Sequence, residues 1–302
     1  MELVKPGINI NFLKGMRWCV IVSLILTGLS VVCFFWKGLT YGIDFAGGTL
    51  IQIKFQKATA ADDIRKALTG LGIHDAIIQP FGTNEVVVRT AESTSDLKGL
   101  SARLEESLNQ AYGTGSFVVQ RTEVVGPKVG KDLTKKAILA VIFSWIGMLI
   151  YIAFRFELRY AVGGIVGVIH DVIVVMGIFS ILGKEFTLTI VAALLTIIGY
   201  SIHDTIVVFD RVRENIRKDS KKDLPTLINE SINQTLSRTI LTSFTVVLVV
   251  AVLYAFGGAV INDFSFALLV GVIFGTYSSV FIAAPVVLAW EKYWPTRARR
   301  KK

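Results

Sequence analysis

The fold is decided by the stretch 187–209, TLTIVAALLTIIGYSIHDTIVVF. A membrane-spanning helix needs roughly 20 mostly apolar residues, because each residue rises about 1.5 Å through a hydrocarbon core of about 30 Å. This stretch is long enough, and it carries a histidine and an aspartate, His203 and Asp204, near one end. It therefore predicts a membrane helix that holds ionisable groups.

Five other stretches of the chain have the same apolar character. The chain has 302 residues, 53% of them apolar, and its mean hydropathy is +0.60, values that are too high for an ordinary soluble protein. The first stretch is too long for the apolar region of a signal peptide and lacks a small-x-small cleavage site. We therefore expect an all-α membrane bundle of six helices. The six windows are 17–36, 136–154, 160–182, 187–209, 238–256 and 266–290.

The net charge of +9 lies mainly on one side of these predicted helices. Basic residues occupy the loop at Arg155–Arg159, the segment 210–237 and the tail 291–302, whereas the opposite short loops hold only Lys184. Cytoplasmic loops carry such an excess of lysine and arginine. We expect both termini in the cytoplasm, membrane lipids near the basic tail, and no nucleic acid partner.

This topology divides the chain into four parts. We predict a cytoplasmic N-terminus with the first membrane helix at 1–36, and an extracytoplasmic domain at 37–135. Helices two to six follow at 136–290, with a cytoplasmic loop at 210–237, and the basic tail occupies 291–302. Within that loop, Leu224–Leu236 has a helical pattern with a proline in its first turn, so it should run directly into the fifth helix.

The predicted outer domain has a readable order of elements. Apolar and polar residues alternate as in strands, or recur at helical spacing, along its length. The order is β-α-β-β-α-β, which predicts an inserted α+β domain of the ferredoxin-like type. The predicted strands are Thr49–Phe55, His74–Phe81, Glu85–Arg89 and Ser116–Val125, and the predicted helices are Ala60–Leu71 and Ser95–Tyr112.

Three charged residues lie within the predicted membrane helices, where an ionised side chain is energetically unfavourable. A charge in the middle of a bilayer costs at least a few kcal/mol, so such residues usually have a function. Asp171 lies near the middle of the third helix. Asp204 lies in the fourth helix, about 9 Å from its inner boundary, and Arg238 is the first residue of the fifth window. Asp204 and Arg238 fall at comparable predicted depth, and pairing would reduce the cost of both charges.

Such a pair could bind and release protons. Burial and a nearby guanidinium have opposite effects on the pKa of a carboxyl group, so movement of Arg238 would change the proton affinity of Asp204. A static structural ion pair is the alternative. His170, His203 and Asp210 are possible relay residues. A neutral histidine bonded to a neighbouring helix explains each histidine equally, and the position of Asp210 at the inner boundary favours a solvated or helix-end group.

Glycines and a proline flank the predicted outer domain. Gly42, Asp44, Gly47 and Gly48 follow the first helix, and Gly126-Pro127 precedes the second. The spacing is not that of a phosphate-binding loop, and no Lys-Ser/Thr follows. We interpret these residues as a structured hinge at the outer interface.

The sequence shows no pattern of metal ligands, no nucleophile with its base and no dinucleotide fingerprint. We therefore expect neither an enzyme nor a bound cofactor, with protons as the only coupling ion.

Several motifs in a fixed order carry a family resemblance. They are Gly42-Ile43-Asp44-Phe45 with Gly47-Gly48, His170-Asp171-Val172-Ile173, Gly199-Tyr200-Ser201, Asp204-Thr205-Ile206-Val207-Val208, Asp210-Arg211-Val212-Arg213-Glu214-Asn215, Glu230-Ser231 with Asn233-Gln234-Thr235, and Arg238-Thr239. Over nearly its whole length the chain resembles the SecD/SecF family of protein-export membrane proteins, relatives of the resistance-nodulation-division transporters.

The resemblance implies a bacterial inner-membrane subunit of SecF type that works with SecD, the SecYEG channel and a translocating preprotein. It implies that Asp204 and Arg238 couple proton flow to export, and that the six helices form half of a resistance-nodulation-division-type unit. One residue departs from the family, which commonly has asparagine where this chain has His203. The alternatives are an assembly subunit without proton coupling and a subunit of a small-molecule or lipid exporter.

Overall fold

The computed structural model describes residues 9–57, 59, 61–70, 76–80, 84–90 and 97–294. The chain divides into two compact units. The helical unit comprises Met1–Thr40, Ala140–Lys184 and Thr189–Lys302, and the sheet unit comprises Tyr41–Leu139 and Glu185–Leu188. Most of the predicted basic tail, from residue 295 onward, lies outside the described residues.

The described part of the chain contains six helical stretches that are long and apolar enough to cross a membrane, as the sequence predicts. The sixth stretch, Val260–Tyr293, includes two helices and the turn between them. The helices are α1 (Phe12–Lys37), α2 (Ile43–Ala46), α3 (Ala61–Gly70), α4 (Leu97–Tyr112), α5 (Pro127–Arg155), α6 (Leu158–Leu182), α7 (Leu188–Lys218), α8 (Leu224–Phe256), α9 (Ala259–Ser278) and α10 (Ala284–Tyr293).

Helices α7 and α8 extend well beyond their apolar windows. The predicted loop 210–237 is helical except at residues 219–223, because α7 continues to Lys218 and α8 begins at Leu224. The Asp223 side chain accepts a hydrogen bond from the Thr226 backbone N–H at 3.2 Å, which caps the start of α8. The predicted continuity of this helix with the fifth span is therefore confirmed.

Burial separates the helical unit into an inner and an outer group. In their most apolar windows, α6, α7 and the sixth stretch are 61%, 56% and 56% buried. The same windows of α1, α5 and α8 are only 11%, 6% and 17% buried. The inner group therefore forms the core of the unit, and the outer group presents apolar side chains to lipid or to other proteins.

The sixth stretch is interrupted by a π-helical turn, Ser279–Ala283, between α9 and α10. Pro285 follows in the first turn of α10. Proline has no N–H to offer the carbonyl four residues earlier, and single π turns accommodate such local changes in the hydrogen-bond ladder. The turn contributes one extra residue directly after Ser278.

The sheet unit contains a four-stranded antiparallel sheet with spatial order β3-β4-β2-β5. Strands and helices alternate along the chain in the predicted order β-α-β-β-α-β. Its core includes Ile53, Ile64, Leu68 and Leu108, which are at most 1% exposed. The four strands are β2 (Gly48–Phe55), β3 (Ile77–Pro80), β4 (Glu85–Thr90) and β5 (Phe117–Val125).

A second, two-stranded sheet pairs β1 (Thr40–Tyr41) with β6 (Glu185–Phe186). Strand β6 lies in the short connection between α6 and α7, and its residues belong to the sheet unit. Sequence patterning could not predict this arrangement, because a short polar connection between two apolar helices carries no periodicity of its own.

Candidate functional site

The inner helices approach one another at glycines. A Cβ atom built on Gly164 of α6 would lie 2.7 Å from Ile202 Cδ1 of α7, and one on Gly275 of α9 would lie 3.0 Å from Ser201 Cβ. Such small residues allow helix backbones to approach closely in membranes. This close packing brings short hydroxyl side chains within reach of buried carboxylates.

Asp171 lies at the centre of this packing and is 0% exposed. Its Oδ2 accepts hydrogen bonds from Ser201 Oγ at 2.6 Å and from Ser278 Oγ at 2.8 Å. These partners belong to α7 and α9, so one carboxylate joins three helices. Its hydrogen-bond partners within the described residues are hydroxyls and a histidine, with no lysine or arginine.

His170 contacts the same carboxylate. Its Nδ1 lies 3.0 Å from Asp171 Oδ1, although neighbouring positions on a helix point about 100° apart. Its Nε2 is buried and has no hydrogen-bond partner within the described part of the chain. The imidazole lies near the rings of Phe274 and Tyr277, each 6.4 Å away between centroids. His170 is therefore placed to exchange a proton with Asp171, and its relay role stays a prediction.

Asp204 lies about one turn from Ser201 along α7 and is 2% exposed. Its Oδ2 accepts a hydrogen bond from Ser243 Oγ of α8 at 3.2 Å. Ser243 Oγ also lies 2.7 Å from Thr276 Oγ1 of α9 and accepts a bond from the Tyr200 hydroxyl at 3.2 Å. A serine hydroxyl has one proton, so Ser243 can donate either to Asp204 or to Thr276.

The predicted ion pair between Asp204 and Arg238 is wrong for this conformation. Within the described residues, no nitrogen of Arg238 comes within the 4.0 Å of an Asp204 oxygen that defines an ion pair. The reason is the register of the antiparallel helices, which places Ser243 opposite Asp204. Arg238 precedes Ser243 by five residues, or about 7.5 Å along α8.

Arg238 instead lines a cavity of about 630 Å³ in the helical unit. The cavity also includes Asp210, which is exposed, and Val207, which lies about one turn from Asp204. The remaining lining residues are Tyr151, Arg155, Phe156, Ile206, Arg211, Glu214, Gln234 and Thr235. The cavity is therefore lined by both positively and negatively charged side chains. It lies near one end of the membrane parts of α7, which carries Asp204, and α8, which bonds to Asp204.

His203 points away from the buried network. Its side chain is 65% exposed, and its Nδ1 lies 3.9 Å from Asp204 Oδ1. A proton could pass between the two groups only after a change of rotamer or through water. The relay role of His203 thus stays a prediction.

The residues predicted as a hinge form contacts inside the sheet unit. The Gly42 N–H donates to the Phe186 carbonyl at 2.9 Å, and Asp44 Oδ2 accepts from the Leu188 N–H at 2.9 Å. Both bonds reach the connection between α6 and α7. The predicted motion at this place is untested.

Two of the predicted glycines adopt backbone conformations that favour glycine. Gly47 has a φ of 77° and Gly48 a φ of 121°. A Cβ atom on Gly47 would lie 3.2 Å from the Pro127 Cα, next to Gly126, so the segments before and after the four-stranded sheet are packed together. The backbone conformation favours glycine at both positions, and the close approach of Pro127 favours it further at Gly47.

Sequence reasoning missed the hydroxyl residues of the network. Ser201 and Ser278 donate to Asp171, and Ser243 donates to Asp204. Thr276 is the second hydrogen-bond partner of Ser243. The available signal was the run Thr276-Tyr277-Ser278-Ser279 inside an otherwise apolar window. Serine and threonine are common in membrane helices, so this signal alone would not have separated them from ordinary packing residues.

The six apolar helices, with carboxylates buried among them, define a multi-pass membrane protein. Residues 104–293 match the family model described as protein export membrane protein SecD/SecF, C-terminal, and residues 35–59 match the SecD/SecF GG motif. The chain belongs to the SecD/SecF family.

Relatives of similar length carry the name protein translocase subunit SecF. The one from Magnetococcus marinus is 46% identical over 96% of this chain and 95% of its own length. The one from Vibrio alginolyticus is 41% identical over 95% of this chain and 91% of its own length. These names describe transport subunits.

Two solved structures share the fold. The crystal structure of SecDF from Thermus thermophilus, described as a translocon-associated membrane protein, matches with a TM-score of 0.86 and 37% identity over 97% of this chain. SecDF in its super-membrane-facing form matches with a TM-score of 0.73 and 37% identity. The chain spans only 40% and 41% of those two chains.

Proposed function

We propose that this chain is a SecF-type subunit of the Sec protein-export complex that couples the proton motive force to preprotein translocation. In this proposal it acts in the bacterial inner membrane with SecD and the SecYEG channel. It needs no cofactor, and protons are the coupling ion. Asp204 is the principal proton-binding group.

The observation that carries this proposal is the environment of Asp204. The carboxylate is buried inside a membrane-length helix and is held by a serine that has a second acceptor, Thr276. When Asp204 is ionised, Ser243 donates to it. When Asp204 is protonated, it can donate to Ser243, whose proton then turns toward Thr276. Binding of a proton thus rearranges hydrogen bonds among α7, α8 and α9.

In this proposal, the cavity near Arg238 gives protons a route toward Asp204, and Arg238 can change the proton affinity of Asp204. Water in this partly open cavity would reach Val207, about one turn from Asp204. A shift of α8 along α7 would bring the Arg238 guanidinium nearer to the carboxylate, which favours its charged form. We propose that this shift releases the proton and that the reverse shift allows uptake.

Asp171 serves in this proposal as a second proton-binding group. Its two serine donors come from α7 and α9, the helices that also contribute to the Asp204 network. A change in the proton state of Asp171 would therefore alter the same helix contacts. His170 is the proposed exchange partner.

We further propose that the sheet unit is an extracytoplasmic domain of the ferredoxin-like class. The strand order β3-β4-β2-β5 and the alternation of strands and helices support this assignment. The distribution of basic residues supports a cytoplasmic location for both termini. Because the chain spans about two-fifths of the SecDF chains, SecD would supply the remaining membrane helices.

The proposal is tested by replacing Asp204 with asparagine. Asparagine keeps the shape and can still accept the bond from Ser243, but it cannot bind or release a proton. We expect Asp204→Asn to remove the stimulation of preprotein translocation by a proton gradient, while the subunit still assembles with SecD. Translocation is measured in inverted membrane vesicles, with and without an ionophore that dissipates the gradient.

Asp219→Asn is the matched control, because Asp219 lies in the connection between α7 and α8. Within the described residues its side chain accepts a hydrogen bond from the nearby Lys221 N–H. This variant should keep the full response to the gradient. An Asp204→Asn subunit that assembles and responds normally would rule out the proposed proton-binding role. It would favour an assembly subunit without proton coupling.

A further inference from the structure

The connection between α6 and α7 is fastened to the sheet unit. Its residues Glu185–Leu188 belong to that unit, although both flanking helices belong to the helical unit. We propose that Asp44 and Arg89 clamp this segment, so that displacement of the start of α7 is transmitted to the sheet domain. The inference rests on the proposed function, because it assumes that α7 moves when Asp204 changes its proton state.

Asp44 supplies the first part of the clamp. Helix α7 begins at Leu188, and the first N–H groups of a helix have no partner within the helix. Asp44 Oδ2 accepts the bond from the Leu188 N–H at 2.9 Å. A carboxylate is also favoured at the positive end of a helix dipole. The cap of α7 thus comes from a residue distant in sequence.

Arg89 supplies the second part. It lies in β4, where it pairs with Leu50 of the central strand β2 and with Ile77 of β3. Its guanidinium forms an ion pair with Glu185, and the side chains of both residues are largely buried, with 14% and 10% exposed. A buried pair of this kind holds its two backbones together, because separating the partners leaves an uncompensated charge.

The residues between these two contacts are held by close packing. The Phe186 ring stacks on Phe45 at a centroid distance of 5.6 Å, and the Phe186 carbonyl accepts the bond from the Gly42 N–H. A Cβ atom on Gly42 would lie 2.7 Å from Thr187 Cγ2, so a larger residue would push the segment away. Every residue from Glu185 to Leu188 therefore contacts the sheet unit.

Lys184, the residue before the segment, forms its ion pair within the helical unit. Lys184 belongs to the helical unit, and its Nζ lies 2.5 Å from Asp263 Oδ1 of α9. Lys184 and Glu185 are adjacent, have opposite charges and pair with different units. A single peptide bond therefore joins a residue that is paired within the helical unit to one that is paired within the sheet unit, so a displacement can pass along the chain.

Two charge reversals at the ion pair test the functional role. Arg89→Glu and Glu185→Arg each place like charges together, and the double variant restores an opposite pair. We expect each single variant to lose most of the gradient-stimulated translocation, and the double variant to recover at least half. Proton release from acid-loaded inverted vesicles, followed with an internal pH-sensitive dye, should continue in all three.

The matched control is the exposed pair Arg121–Glu123 of β5, whose side chains are 50% and 37% exposed. Reversing either charge there should leave translocation unchanged. Translocation that remains at the wild-type level in both single variants at Arg89 and Glu185 would overturn the inference. Failure of the proposed function differs from this outcome, because the Asp204→Asn subunit would then respond to the gradient as the wild type does.

Hydrogen exchange of the assembled wild-type and variant complexes tests the contact without relying on transport. We expect Asp44→Ala to make the amides at the start of α7 exchange about five- to tenfold faster, since it removes a helix cap. Asp63→Ala is the control, because Asp63 is 53% exposed and pairs within its own helix. Unchanged exchange in Asp44→Ala would show that the clamp does not form.

Discussion

At the scale of single residues, the buried carboxylates are held by neutral hydroxyl donors. Asp171 and Asp204 each lie in a membrane-length helix, and each receives its serine bond from another helix. Hydroxyl groups can donate to an ionised carboxylate and accept from a protonated one. Both charge states are therefore compatible with the same backbone, which a fixed arginine partner would not allow so readily.

We predict that Ser278→Ala destabilises the protein. The change removes one of two hydroxyl donors to the buried Asp171, and a lost bond of this kind costs about 1–2 kcal/mol. The melting temperature of the purified protein in detergent would show it. Ser265→Ala is the control, since Ser265 is 0% exposed and its Oγ has no hydrogen-bond partner within the described residues. Equal melting temperatures for the two variants would contradict the prediction.

The sequence indicates the carboxylates but not their partners. Asp171 and Asp204 stand out because they are charged residues in apolar stretches. Their serine partners do not stand out, and the opposition of Ser243 to Asp204 depends on how α7 and α8 align. Counting residues from each end of the helices placed Arg238 about five residues away from its actual level. Helix alignment is a tertiary property, so depth estimates alone cannot find a pair.

At the scale of elements, glycine packing determines how closely α1 lies against α6. A Cβ atom on Gly177 would lie 2.2 Å from Ser30 Cβ and 2.7 Å from Ser30 Cα. We predict that Gly177→Ala forces the two helices apart and destabilises the protein by about 1–3 kcal/mol. Thermal unfolding in detergent measures the change.

The control for this prediction is Gly28→Ala on α1, where an added Cβ meets nothing within 4 Å. In a helix, alanine is intrinsically better than glycine by about 1 kcal/mol, so this variant should melt at the same temperature or higher. A Gly177→Ala protein that also gains stability would show that the helices can separate without cost.

The elements were predictable to different degrees. Hydropathy located six spans, because a bilayer requires long apolar runs. It ended α7 about nine residues early, since the extension to Lys218 is amphipathic and carries charged residues. Strands β1 and β6 contain two residues each, which is too short for any period to be recognised. Their pairing follows from tertiary contacts that the sequence pattern does not encode.

At the scale of the whole molecule, the number of membrane crossings predicts which segments face opposite sides. Lys57 of the sheet unit and Ser220 in the connection after α7 are both exposed, and α5, α6 and α7 lie between them. We predict that these helices make three crossings, so that the two residues lie on opposite sides of the membrane. The prediction is tested with Lys57→Cys and Ser220→Cys, in a background where Cys19 and Cys33 are replaced by alanine.

We expect a membrane-impermeant maleimide to label the Lys57→Cys protein in spheroplasts and the Ser220→Cys protein only in inverted vesicles. The Cys-free background is the control for non-specific labelling. Labelling of both variants from the same side would mean that one of the three helices does not cross. The same experiment gives the absolute orientation, because the reagent reaches only the outer face in spheroplasts and only the inner face in inverted vesicles. We expect the basic segment near Ser220 inside.

The outer helices have a large exposed apolar surface. Helices α1, α5 and α8 leave most of their apolar windows exposed, and the SecDF chains are more than twice as long as this one. A second set of membrane helices would cover part of this surface. Arg238 is exposed on α8 and lines a cavity to which α5 and α7 also contribute. Groups from another protein could complete this site.

The π-helical turn Ser279–Ala283 affects how this chain should be compared with other proteins. A π turn holds one residue more than the α-helical path around it, so a helix without it would be one residue shorter at this point. The true correspondence between two such helices then contains a gap within a membrane span, where alignment methods penalise gaps most heavily. An ungapped alignment would be right for Ser278 but would shift α10 by one position, and with it every apparent conserved residue from Ala284 to Tyr293.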